Sequence, residues 1–190
     1  MEFLTALWLP ILLSAVAIFV ISSLIHMVFG YHAGDYAKLP NEDEVLGAMR
    51  DKGVAPGEYV FPRCESMKDM GSEEMIAKMN LGPNGWLTVM PPGPWAVGKS
   101  LGQWFIYCVI IGALVAYLMH FMIPAGADFQ TVMRGTSTAA FLAYAGATPS
   151  DSIWKAQGWS TTLKFLFDGL LYSLATGAIF AAMWPGASPV

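Results

Sequence analysis

LTALWLPILLSAVAIFVISSLIHMVF, residues 4–29, is a 26-residue run without Asp, Glu, Lys or Arg. Coiled into an α-helix at 1.5 Å per residue it would be about 39 Å long, more than the roughly 30 Å of hydrocarbon in a bilayer. Trp8 near one end and Tyr31 beyond the other suit the two membrane interfaces, and Pro10 is placed to bend the helix near its start. The run lacks the basic start of a secretory signal and is longer than a signal core, so it is expected to remain as a helix rather than be removed.

Working outward, three further stretches read the same way: Leu101 to Ile123, Phe129 to Thr148 and Thr161 to Trp184. The expected fold is an all-α membrane protein with four transmembrane helices in a bundle and a small α+β insertion between the first two. The expected segments are 1–30 for the first helix, 31–100 for the insertion and 101–190 for the remaining three. The third stretch is the weakest, because Arg134 interrupts it and Thr136, Ser137, Thr138 and Thr148 dilute it. Arg134 is close enough to the helix start to snorkel to the interface.

Composition agrees with a membrane protein. Of 190 residues 55% are hydrophobic and 13% charged, where a soluble domain carries about a quarter charged. Most charged residues fall between Asp35 and Lys99, so the net charge of −4 describes mainly the insertion and offers no basic patch for nucleic acid. Lys38, Lys99, Lys155 and Lys164 flank the spans on one side, against Arg134 on the other. The positive-inside rule then puts the insertion in the cytoplasm and both termini in the periplasm.

Within the insertion, Asn41 followed by Glu44 resembles a capping box, and Val45, Leu46 and Met49 form an apolar stripe that Gly53 would end. A second short helix is expected from Ser72, with Glu73 and Glu74 in its first turn. Tyr59 to Phe61 and Trp86 to Met90 read as two short strands, with Pro83, Asn84 and Gly85 as a turn. So few large apolar side chains make a marginal independent domain, which is expected to lean on the helices or on a partner.

Two helices carry small residues at every fourth position: Gly135, Ala139, Ala143 and Ala147, then Gly169, Ser173, Gly177 and Ala181. Such rows let helix backbones approach closely in lipid, so the third and fourth helices are expected to pack through them. Lys164 and Asp168, four apart, are expected to form an intramembrane ion pair; the same carboxylate is a suspect for ion or proton handling. His26 and His120 invite a haem reading. They fall at opposite ends of their helices, however, so one haem cannot bridge them. Cys64, Met67 and Met70 have a soft-ligand spacing without a reinforcing His or second Cys, and Cys108 lies in an apolar stretch. No metal, other cofactor or catalytic residue is expected, and no nucleophile with its base or phosphate-binding loop is present.

The opening Phe3 to Pro10 with His26 and Met27, the segments Asp35-Tyr36 and Lys38-Leu39-Pro40, and Asp151 to Trp154 with Trp159 to Thr162 resemble an uncharacterised family of small bacterial multi-pass inner-membrane proteins. That resemblance implies a bacterial cytoplasmic membrane and brings no activity or cofactor with it. The expected role is a non-enzymatic accessory or scaffolding subunit, with the bilayer and a membrane-protein partner or second copy as neighbours. The alternative is a small oligomeric transporter or channel.

Overall fold

The structure, a computed structural model, describes residues 2–186. Met1 and residues 187–190, within the expected segments 1–30 and 101–190, lie outside the described residues. The chain divides into two units, 1–36 with 96–190 and Ala37–Trp95. Tyr31 to Tyr36 therefore belong with the helical bundle, not with the insertion that was expected to begin at residue 31.

The helical unit is built from α1 (Glu2–Leu24, continued by a wider π-helical turn over Ile25–Phe29), α4 (Val97–Met122), α5 (Phe129–Ala145), α6 (Pro149–Lys155) and α7 (Trp159–Ala182). Three helices, not four, are long and apolar enough to cross a bilayer: Glu2–Phe29, Val97–Met122 and Trp159–Ala182. The fourth expected span corrects to α5, whose 17 residues extend only about 26 Å. Arg134 and three consecutive hydroxyl residues, Thr136 to Thr138, lower its apolar content, and the chain leaves it before Thr148. Asp128 starts it, accepting from the Gln130 and Thr131 amides and the Thr131 hydroxyl. Those bonds hold the exposed Asp128 carboxyl below its ordinary pKa.

α1 and α4 run antiparallel. Phe3 packs edge-on against Tyr117 at one end, and the Trp104 indole donates to Ser22 Oγ (2.9 Å) toward the other. α5 and α7 are also antiparallel: a Cβ added at Gly169 would meet Ala145, and one at Gly177 would meet Ser137 and Met133. The α7 row of small residues thus lies on α5. On α5 the buried line is Val132, Thr136 and Ala140, while Gly135 of the expected row faces Met119 and Ile123 at the end of α4, and Ala143 and Ala147 are exposed. The Trp184 indole donates to the Pro124 carbonyl (3.0 Å), which brings the end of α7 to the α4–α5 turn.

Leu7, Ile11, Val115, Met119, Val132 and Phe180 form the main core. Ala15, Ile18, Ile25, Cys108 and Tyr172 continue it toward the Trp104 end. The outer face of α1 is apolar too, with Trp8, Leu12, Leu13, Val16, Val20 and Leu24 exposed. A helix apolar on both faces is compatible with a bilayer, where acyl chains would cover the outward side. Four buried hydroxyls bond to carbonyls of their own helices: Ser14 to Ile11, Thr136 to Val132, Ser173 to Leu170 and Thr176 to Tyr172. Ser152 and Thr162 instead bond each other between α6 and α7.

The second unit holds α2 (Glu42–Asp51), α3 (Glu73–Leu81) and an antiparallel pair, β1 (Gly57–Phe61) with β2 (Gly85–Val89), in register Tyr59 opposite Leu87. Ser72 caps α3 by accepting from the Met75 amide (3.2 Å), at the expected start. Asn41 precedes α2 but makes no side-chain cap, because its left-handed backbone (φ 49°) leaves only its carbonyl to accept from Glu44 and Val45. Not one residue from 37 to 95 is buried.

Candidate functional site

At the end of α1 the π-helical turn terminates at Gly30, whose φ of +62° suits glycine and whose amide closes on the Ile25 carbonyl (3.3 Å). Two turns follow, with Ala33 N bonded to Gly30 O and Asp35 N to His32 O, each at 3.0 Å. They fold Tyr31, His32 and Asp35 back against α7, where Lys164, Phe165 and Asp168 wait.

The result is a continuous chain of polar contacts. The Tyr31 hydroxyl donates to one carboxylate oxygen of Asp168, and His32 Nε2 lies 2.8 Å from the other. His32 Nδ1 lies 2.6 Å from Asp35, whose second oxygen accepts from Lys164 Nζ. The Asp35 and Asp168 side chains are only 2% and 3% exposed, so both depend on these partners for solvation. Among the described residues Lys164 and Asp168 do not pair with each other; each is matched instead by a residue about 130 positions earlier in the chain. Burial pushes the Asp35 carboxyl up, but hydrogen bonds from Lys164 and His32 outweigh it and hold the group below its ordinary pKa. Burial, then the bond to Asp168, push the Tyr31 phenol up, which keeps it a proton donor at ordinary pH.

Rings wedge the cluster in place. His32 lies between Tyr31 (centroids 4.6 Å apart) and Phe165 (5.0 Å), while His26 meets it edge-on at 4.7 Å. One donor atom each from His26, His32 and Asp168 falls within 4.8 Å of the others. These three can hold a cation.

Beside the cluster is a cavity of about 450 Å³, lined by His26 and Asp168 together with Trp104, Tyr144 and Tyr172. Its lining is mostly apolar, and its size suits a small organic molecule. The Tyr144 hydroxyl is buried without an ordinary hydrogen bond, beside the weakly polar Cys108 thiol. No family model matches the chain, and neither does any curated protein or solved structure.

His120 sits near Phe3 at the far end of the bundle from His26. Met67 and Met70 are exposed in the second unit. Tyr31, His32 and Asp35 escaped sequence reasoning, which assigned Tyr31 to the interface and Asp35 to the insertion. The available signal was a Tyr, a His and an Asp within six residues of the first span's end, together with the carboxylate of Asp168 inside another.

Proposed function

We propose that this chain is a multi-pass membrane protein that binds a lipid-soluble small molecule in the cavity beside the His26, His32 and Asp168 cluster. The observation that carries this is a mostly apolar cavity of about 450 Å³, lined by Trp104, Tyr144 and Tyr172, that also presents the polar side chains of His26 and Asp168. Acyl or ring carbons would lie along Trp104 and Tyr172 while a polar group met His26. Aromatic walls favour such a molecule through area and stacking.

The test is extraction of the protein purified in mild detergent. One equivalent of a retained organic molecule is expected by mass spectrometry. Leu101→Trp, which places a bulky ring on the cavity wall, should lose it while melting at the same temperature as the parent. An empty parent protein would defeat the reading.

A second reading, contact with a partner protein, is favoured by the lack of any buried residue between 37 and 95. A unit without a core gains stability by covering its apolar side chains, and Trp86, Met90 and Trp95 are exposed. In this reading that surface is cytoplasmic in a bacterial inner membrane and the chain acts as an accessory subunit. A photo-crosslinking residue at Trp86 in intact cells should then capture one membrane or cytoplasmic protein reproducibly. Recovery of the uncrosslinked monomer alone, or of a periplasmic protein, would refute it.

A further inference from the structure

We propose that His26, His32 and Asp168 bind one divalent transition-metal ion of the zinc class, with an open coordination position facing the cavity. This deepens the cavity reading and rests on it only for the open position.

The donor set is the first ground. Two imidazoles and one carboxylate suit borderline ions such as zinc, whereas calcium and magnesium prefer all-oxygen shells. The three donor atoms already lie within 4.8 Å of one another, drawn from the end of α1, the turn after it and the middle of α7.

Outer contacts are the second ground. A metal-binding histidine commonly gives its other ring nitrogen to a carboxylate, which fixes the ring and its tautomer. His32 does this: Nδ1 faces Asp35 at 2.6 Å, and Asp35 is itself held by Lys164. Nε2 is left pointing at Asp168, and Tyr31 anchors the other oxygen of that carboxylate. Asp35 and Lys164 offset each other's charge, so Asp168 leaves the cluster attractive to a cation.

A third ground is the 2.8 Å approach of His32 Nε2 to the Asp168 oxygen. With Nδ1 donating to Asp35, two lone-pair atoms at this distance need something positive between them, a proton or a metal ion. Around a tetrahedral zinc with bonds of about 2.0–2.1 Å, ligand atoms stand about 3.3 Å apart. The pair would have to open by roughly half an ångström. His26 is exposed on the π-helical turn, so its ring is not locked in place by burial. Three protein ligands leave a fourth position, as in zinc sites that exchange ligands. Because His26 and Asp168 also line the cavity, that position falls inside it.

The experiment titrates the full chain in detergent with Co²⁺, read by visible absorption, and with Zn²⁺ against a chromophoric chelator. One equivalent is expected, with a cobalt spectrum of four or five coordination. Asp35→Asn should weaken binding about 10- to 100-fold without abolishing it. His26→Ala, at an exposed position that should leave the fold intact, should weaken it at least tenfold. The absence of stoichiometric binding, or binding unchanged in His26→Ala, overturns the proposal. Leu101→Trp separates the two readings: it should keep the ion and lose the organic molecule. A parent that holds the ion but no organic molecule sinks only the cavity reading.

Discussion

Gly177→Leu is expected to lower the stability of the protein in detergent by about 3 kcal/mol, the upper end of the usual cost of overpacking. A Cβ at this position would fall on Ser137 Oγ, with Met133 Sδ at 3.0 Å and the Met133 carbonyl oxygen at 3.1 Å. Side chains can move aside, but the carbonyl belongs to the α5 backbone, so relief requires the two helices to separate. That loses the close packing on which helix association in lipid depends. Gly102→Leu is the control, since nothing lies within 4 Å of a Cβ there. The comparison is made by thermal or denaturant unfolding, and an unchanged midpoint for Gly177→Leu would remove the α5–α7 seam as the tightest contact of the bundle.

Asp168→Ala is expected to cost about 3–5 kcal/mol, the range for removing one partner of a buried ion network. The Tyr31 hydroxyl would lose its acceptor and His32 Nε2 its partner, both now supplied by a carboxylate almost closed to solvent. Asp168→Asn, which keeps the shape and one acceptor, should lose less. The Lys155–Asp151 pair, with both side chains about half exposed, sets the scale at the other extreme. There Asp151→Ala should change stability by no more than about 1 kcal/mol, because water solvates each partner as well as the other does. Equal unfolding midpoints for Asp168→Ala and Asp151→Ala would mean that the buried network contributes nothing special.

Much of the secondary structure was legible because it depends on local composition. The apolar runs opening at Leu4, Leu101 and Thr161 correspond to α1, α4 and α7, and Ser72 starts α3 as its residue type suggests. Asn41 shows where local rules stop: the same residue type precedes α2 but its backbone turns left-handed, and the side-chain cap is not made. The run at Phe129 shows a second limit. A window of apolar and small residues sufficed to suggest a span, yet the helix that forms is 17 residues long. Of its hydroxyl residues, Thr136 bonds to the Val132 carbonyl of its own helix and Ser137 lies against Gly177 of α7, while Thr138 is exposed.

The small-residue rows divide in the same way. Gly169 and Gly177 do approach α5, but spacing on α5 alone could not tell which of its faces turns to α7. In the structure Val132, Thr136 and Ala140 are buried, while Gly135 turns to α4. That choice depends on the position of a third helix.

From residue order alone came a membrane protein, its three convincing spans, the polar insertion and the suspicion attached to Asp168. Only the tertiary structure decided Asp168's partners. Spacing along one helix proposed Lys164 because the two are four residues apart, and the left-handed turn at Gly30 instead brought Tyr31, His32 and Asp35 back onto α7. Hydropathy depends on neighbours in sequence and survives without a fold. A buried carboxylate is solvated by whatever lies next to it in space, and here those groups come from 136 and 137 positions away.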